Sequence, residues 1–120
     1  MARILVVEND FHHQEIIRFH LERDGHEVFA TDDATIVINL LHYFPADLII
    51  IDIALPDVHG IDLTARIKSH PQLAQIPVLA VTAMTNITLE ADYPFMGFSG
   101  YLPKPFHLQE LRRTVFSLLA

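Results

Sequence analysis

Residues 47–52 read Asp47-Leu48-Ile49-Ile50-Ile51-Asp52, and this stretch indicates the architecture of the whole chain. Its four central residues, Leu48 to Ile51, are all apolar and mostly β-branched, which is typical of a strand buried on both faces. Strands of this kind occur in parallel sheets that helices cover on both sides. The carboxylate of Asp52 therefore follows a core strand, at the edge where open α/β sheets bind ligands and carry out chemistry.

Apolar runs like this one alternate with amphipathic stretches along the chain. The predicted strands are Ile4–Val7, Glu27–Ala30, Leu48–Ile51, Val78–Val81 and Gly100–Leu102. The predicted helices are Phe11–Arg23, Asp33–Phe44, Gly60–His70, Thr85–Met96 and Phe106–Leu119. This alternation predicts an α/β fold of (βα)5 type, with right-handed crossovers and a doubly wound five-stranded parallel sheet. With 120 residues, 51% of them apolar, the chain is expected to form a single domain over residues 1–120.

Composition argues against several classes of function. The formal net charge of −7 disfavours direct nucleic-acid binding, which needs clustered Lys and Arg. The absence of cysteine excludes disulfides, a thiol nucleophile and any Cys-based metal site. No apolar stretch approaches the roughly 20 residues that a membrane helix needs, so we expect no membrane insertion. No signal-peptide pattern follows Met1, and a cytoplasmic location is the simplest expectation.

Polar side chains that could carry chemistry collect at the ends of the predicted strands. They are Glu8, Asn9 and Asp10 after the first strand, Asp52 after the third, Thr82 after the fourth and Lys104 after the fifth. Because parallel strands end at one edge of the sheet, these groups should converge. Such a pocket suits phosphoryl transfer to a carboxylate, with Asp52 as nucleophile and Glu8 and Asn9 serving a hard cation. Lys104 and Thr82 fit the positive charge and the hydroxyl donor that the transferred group needs.

Four motifs, in this order, resemble the response-regulator receiver domain of two-component signalling. They are Ile4-Leu5-Val6-Val7-Glu8, then Asp52-Ile53-Ala54-Leu55-Pro56 with Gly60 eight residues after Asp52, then Val81-Thr82-Ala83, and finally Gly100-Tyr101-Leu102-Pro103-Lys104-Pro105-Phe106. Each motif is weak alone, but together they extend along the whole chain at the family's spacing. The resemblance implies the flavodoxin-like receiver fold and a phosphorylation-controlled signalling switch, not a turnover enzyme.

The resemblance also implies a role for each residue of the site. Asp52 would accept a phosphoryl group from a histidine kinase or a phosphotransfer protein. Lys104, joined to Pro105 by a cis peptide bond, would contact the phosphoryl oxygens. Thr82 and Tyr101 would act as switch residues that relay the signal, and a downstream protein partner would bind the face formed by the predicted fourth helix, the fifth strand and the last helix. Mg²⁺ would be held by Glu8, Asn9, Asp52 and the backbone carbonyl of Ala54.

Three features depart from the family's usual pattern or modify it. The second of two adjacent acids after the first strand is replaced by Asn9, whose neutral amide should weaken Mg²⁺ binding. Asp10 could compensate for the lost charge, or could instead cap the first helix. Pro94 lies inside the predicted fourth helix, which should therefore kink or end early. Ala54 and Met84 offer no side-chain hydrogen bond to a water near the phosphoryl group, which predicts slow self-dephosphorylation.

Two other functional interpretations of the sequence can be considered. Asn9 supports a pseudo-receiver, in which the same fold acts as a phosphorylation-independent interaction module with weak or no metal binding. The presence of Asp52, Thr82 and Lys104 argues against that interpretation. A phosphatase on a related doubly wound fold is disfavoured, because phosphatases of the haloacid-dehalogenase type have a second Asp where this chain has Ala54.

Histidine is the remaining conspicuous residue type, with eight in the chain. These residues are scattered over several elements, and none shows the HExxH or clustered spacing of a metal site. We therefore interpret them as solvated or helix-surface residues. His59, in the loop after Asp52, is the only one expected near the predicted pocket.

Overall fold

Five strands form one parallel sheet in the order β2-β1-β3-β4-β5. The computed structural model describes residues 1–54, 59–83 and 97–120. The strands are β1 Arg3–Val7, β2 Glu27–Thr31, β3 Leu48–Asp52, β4 Val78–Thr82 and β5 Gly100–Pro103. Each is one residue longer than the sequence predicted, so Asp52 and Thr82 are the last residues of their strands. The predicted doubly wound parallel sheet is confirmed.

Helices connect the strands and cover the sheet. They are α1 Phe11–Arg23, α2 Val37–Tyr43, α3 Gly60–Lys68 and α4 Leu108–Leu119. The predicted helix Thr85–Met96, together with Met84 and the proposed effect of Pro94, lies outside the described residues. Within the described ranges, no helix has the length and apolar character needed to cross a membrane.

Three helices are shorter than the sequence predicted, because their ends are capped differently. Before α2, Asp33 caps a separate 3-10 turn, so the α-helix begins later. The end of α3 is set by Ser69, whose Oγ donates to a backbone carbonyl one turn back, shortly before Pro71. The start of α4 is set by His107, whose backbone N–H donates to Glu110 Oε1 at 3.0 Å.

The two faces of the sheet bury separate apolar clusters. The α2–α3 face buries Leu5, Val7, Ile49, Ile51, Val78 and Ala80 against helix residues that include Val37, Leu41, Leu63 and Ile67. The α1–α4 face buries Ile4, Val6, Leu48, Ile50, Leu79 and Val81 against Ile17, Leu21, Leu111 and Val115. Because side chains alternate along a strand, those of Glu8 and Asp52 point to the α1–α4 face of the sheet, and that of Thr82 points to the α2–α3 face.

Candidate functional site

Three charged side chains meet at the carboxyl edge of the sheet. Glu8 follows β1, Asp52 ends β3 and Lys104 follows β5. The ammonium of Lys104 donates to Glu8 Oε2 at 2.9 Å and to Asp52 Oδ2 at 3.0 Å. All three side chains are largely buried, with exposed fractions of 3% for Glu8, 9% for Asp52 and 14% for Lys104. The expected convergence of groups from separate strands is therefore observed for these three residues.

Local hydrogen bonds fix the orientation of both carboxylates. Glu8 Oε1 accepts from the backbone N–H of Asp10 at 3.1 Å, and Asp52 Oδ1 accepts from that of Ala54 at 3.0 Å. The side-chain amide of Gln14 donates to the backbone carbonyl of Glu8 at 2.6 Å, which ties α1 to the end of β1. Each carboxylate thus uses one oxygen for the backbone and presents the other to Lys104.

The site carries more negative than positive charge. Burial raises the pKa of Glu8, and the adjacent Asp52 carboxyl adds to the rise, while Lys104 and the Asp10 amide offset only part of it. Burial alone would lower the pKa of Lys104, but its hydrogen bonds to both carboxylates and their charges outweigh burial, so this pKa is raised. An ammonium between two crowded carboxylates leaves an environment that favours an additional cation.

The residues around this pair of acids fit a hard divalent cation with few charged ligands. Mg²⁺ takes carboxylate, amide and carbonyl oxygens: Glu8 and Asp52 carry the first, and their near neighbours in the chain, Asn9 and Ala54, carry a side-chain amide and a backbone carbonyl. Asp10 caps α1, with its Oδ1 accepting the N–H groups of His12 and His13 at 2.8 and 3.2 Å. In the described part of the chain, no group of three or more His, Cys, Asp or Glu is arranged to hold a metal.

Thr82 and Tyr101 lie on the neighbouring strands β4 and β5. Thr82 is fully buried, and its backbone carbonyl accepts from the N–H of Lys104 at 2.7 Å. Tyr101 pairs with Ala80 in the sheet and packs, half-buried, against the cluster on the α2–α3 face. The end of β4 is therefore joined directly to Lys104, and Tyr101 belongs to the opposite face of the sheet from Asp52. The Lys104–Pro105 peptide is cis, as expected.

His13 is a residue of the site that sequence reasoning missed. Its Nδ1 lies 3.4 Å from Lys104 Nζ and 3.9 Å from Glu8 Oε1. The prediction that only His59 lies near the pocket is wrong; His59 precedes α3, where its Nδ1 accepts from the N–H of Ile61. The signal was the cap at Asp10, which starts α1 at Phe11, three residues after Glu8, and so holds residue 13 in the first helical turn, beside the site.

A groove opens beside Lys104, between α1 and the segment that leads into α4. It has a volume of about 510 Å³ and a mostly apolar lining that includes His13, Ile16, Ile17, Pro105, Phe106 and Leu108. On the same helix, Phe11 and Phe19 expose 71% and 56% of their surface. The site therefore adjoins an accessible apolar surface on α1.

A parallel sheet whose carboxyl edge brings two buried acids onto one lysine defines a class of α/β domain suited to phosphoryl chemistry. Comparison with known proteins identifies the family to which this chain belongs. Residues 4–116 match the family described as "Response regulator receiver domain". The chain belongs to this family, whose members are signalling switches of two-component systems and generally bind Mg²⁺ at their acidic pocket.

Individual relatives agree with this assignment. The chain is 36% identical over 118 residues to "Probable transcriptional regulator ycf29" of Pyropia yezoensis, covering 98% of this chain and 53% of that protein. It is 32% identical over 119 residues to "Virulence transcriptional regulatory protein PhoP" of Salmonella choleraesuis, covering 99% and 52%. The chain thus spans about half the length of these curated relatives. The non-phosphorylated HemR receiver domain of Leptospira biflexa superposes with a TM-score of 0.90 at 29% identity, covering 100% of this chain and 95% of that one.

Proposed function

We propose that this domain is a phosphorylation-controlled switch in which Asp52 accepts a phosphoryl group from a histidine kinase or a phosphotransfer protein. The observation that carries the proposal is the Lys104 ammonium, which bridges Asp52 and Glu8 in a largely buried pocket. A buried carboxylate oriented by a backbone amide and faced by a fixed positive charge is suited to nucleophilic attack on phosphorus.

In the proposed reaction, a carboxylate oxygen of Asp52 attacks the phosphorus of a phosphohistidine. The new O–P bond makes an acyl phosphate, and the P–N bond breaks with its electron pair passing to the donor imidazole. The N–H of Ala54 holds one carboxylate oxygen, which limits rotation of the group. Lys104 already points at the other oxygen and can pass a hydrogen bond to the incoming phosphoryl oxygens.

Mg²⁺ is the proposed cofactor, held by Glu8, Asn9, Asp52 and the backbone carbonyl of Ala54. When bound, it supplies positive charge to the phosphoryl oxygens. Asn9 contributes an uncharged oxygen where the family usually has an acid, so the metal should bind more weakly than in a site with three carboxylates. Ala54 also lacks a side-chain group that could position water, which favours a long-lived phosphoryl group.

Signal relay is proposed to run through Thr82 and Tyr101. The Thr82 carbonyl already binds the backbone of Lys104, so a shift of the lysine on phosphorylation is transmitted directly to the end of β4. Tyr101, in the neighbouring strand, packs half-buried against the α2–α3 cluster, and a change in the position of its ring would carry the signal onward. The phosphoryl group would thereby shift the balance between two conformations.

The phosphodonor and the downstream partner are proposed to be proteins. The downstream partner would use the face that includes β5 and α4; the rest of that predicted face lies outside the described residues. The net charge of −7 argues against direct DNA binding by this domain. Since relatives named transcriptional regulators are about twice as long, DNA contact would belong to a partner domain. We place the domain in the cytoplasm, where such a kinase would act.

The experiment is phosphorylation by acetyl phosphate over a series of Mg²⁺ concentrations, followed by intact mass. We expect a single phosphoryl adduct in the wild type that is lost in Asp52→Ala. Asp47→Ala is the matched control, because Asp47 is an exposed acid just before β3, at the opposite edge of the sheet. An adduct that survives Asp52→Ala, or no adduct at any Mg²⁺ concentration, would contradict the proposal; the second result favours the pseudo-receiver.

A further inference from the structure

The ammonium of Lys104 has three N–H donors, and three acceptors surround it. Two are the carboxylates of Glu8 and Asp52 at 2.9 and 3.0 Å. The third is His13 Nδ1 at 3.4 Å, a longer contact from a different side of the pocket. Two acceptors come from strand ends and one from α1, so the ammonium is held from both the sheet and the helix.

The contact with Lys104 requires one tautomer of the His13 ring. An ammonium can only donate, so a hydrogen bond from Lys104 uses the lone pair of Nδ1, with a ring proton on Nε2. The same Nδ1 lies 3.9 Å from Glu8 Oε1 and 3.9 Å from Asp10 Oδ2. In the tautomer that the contact requires, the ring accepts from Lys104 at the rim of an acidic pocket.

The backbone that carries His13 is tied to the site. Its N–H donates to Asp10 Oδ1, and the next residue, Gln14, donates from its side chain to the carbonyl of Glu8. The first turn of α1 is thus anchored to the end of β1. Although the His13 side chain is 46% exposed, its Cα is positioned by the same residues that form the acidic pocket.

We propose that His13 is a positioning residue for Lys104, a role that rests on the proposed function. During phosphorylation the ammonium must pass a hydrogen bond from Asp52 to the phosphoryl oxygens. Glu8 and His13 then remain as its two anchors, one on the sheet and one on α1. Without the His13 acceptor, the third N–H of the ammonium binds water, or the ammonium moves toward the carboxylates. In both cases Lys104 is less well placed for the incoming phosphoryl group.

Three variants separate the acceptor from other properties of the ring. His13→Leu keeps a bulky side chain and removes the acceptor. His13→Asn places an amide oxygen as many bonds from Cα as Nδ1 is, so it should restore the contact. His12→Leu is the matched control, because His12 is exposed on the same helical turn and its N–H is also bound by Asp10.

The first measurement follows hydrogen exchange of the Lys104 ammonium by ¹H–¹⁵N NMR in the unphosphorylated, Mg²⁺-free protein. We expect faster exchange in His13→Leu and a wild-type rate in His13→Asn and His12→Leu. This readout does not require phosphorylation, so it tests the contact even if the proposed function fails. Equal exchange rates in His13→Leu and the wild type would overturn the inference.

The second measurement is the rate of adduct formation with acetyl phosphate at saturating Mg²⁺. Loss of one hydrogen bond to the ammonium should slow His13→Leu by about threefold to tenfold. His13→Asn should recover most of the rate, and His12→Leu should match the wild type. An unchanged rate in His13→Leu, or equal losses in His13→Leu and His13→Asn, would show that the acceptor has no positioning role.

Discussion

At the scale of single residues, the balance of charge around Asp52 is the distinctive property of this domain. The side chains of Glu8 and Asp52 are crowded enough that burial and mutual proximity raise the pKa of Glu8. Lys104 neutralises one of the two charges, and Asn9 contributes none. Asp10, the other acid nearby, is used as a helix cap. At the proposed Mg²⁺ site, the strength of metal binding would therefore depend on position 9, which carries an amide.

Replacing Asn9 by Asp should raise the affinity for Mg²⁺. One added negative charge beside a divalent ion strengthens binding on the order of tenfold, after allowing for solvent screening at this exposed position. Isothermal calorimetry with Mg²⁺ measures the change. Asn39→Asp is the matched control, since it makes the same substitution at an exposed position on α2. Equal affinities in Asn9→Asp and the wild type would contradict this account.

At the scale of secondary-structure elements, the start of α3 is packed directly on the backbone that carries Asp52. The N–H of Gly60 donates to the carbonyl of Ile53 at 2.9 Å. A Cβ at Gly60 would come within 2.7 Å of Ile53 Cα and 2.9 Å of the Asp52 carbonyl oxygen. Backbone atoms cannot move aside as side-chain ends do, so only glycine allows α3 to begin here.

Gly60→Ala should therefore displace the turn after β3 and destabilise the fold. The expected cost is about 1–3 kcal/mol of unfolding free energy, typical of overpacking, and phosphorylation of Asp52 should slow as well. Gly100→Ala is the control, because its added Cβ would meet the methyl ends of Leu79 and Leu118 at 3.2 and 3.3 Å. Urea unfolding gives both values, and a cost in Gly60→Ala no larger than that in Gly100→Ala would refute the explanation.

At the scale of the whole molecule, a bidentate ion pair joins the end of α1 to α4. Arg112 donates from Nε and Nη2 to the two carboxylate oxygens of Asp24, both at 2.8 Å. The hydrogen bonds from Arg112 lower the pKa of Asp24. Asp24 is the C-cap of α1, and the chain turns there through Gly25 at a φ of +90°. The pair thus connects the first and last helices on one face of the sheet.

The ion pair between Asp24 and Arg112 should make part of the stability of the fold sensitive to acid. A carboxyl whose pKa is lowered on folding stabilises the protein above the ordinary aspartate pKa, and this contribution is lost as the pH falls through the folded pKa. We expect the thermal midpoint of the wild type to drop more steeply below about pH 4 than that of Arg112→Gln. Arg113→Gln, with the same charge change next to it, should keep the wild-type slope. Parallel curves for wild type and Arg112→Gln would argue against the linkage.

Much of the architecture was predictable because the strands are short, apolar and continuous. The run Leu48–Ile51 identified a buried parallel strand, and the order of strand ends placed Glu8, Asp52 and Lys104 at one edge. Helix ends were predicted less well, since α2, α3 and α4 are bounded by local caps that compete with helical periodicity. His13 was missed because the cap at Asp10 indicates only where α1 begins, whereas the contact of His13 with Lys104 depends also on the angle at which α1 leaves β1.

The sequence by itself determined the class of fold, the family and the identity of the residues at the carboxyl edge of the sheet, because periodicity and motif order are local properties of the chain. Only the tertiary structure decided that one ammonium lies between Glu8 and Asp52 and that His13 faces Lys104. These contacts join residues as many as 96 positions apart, and their distances follow from the packing of helices against the sheet.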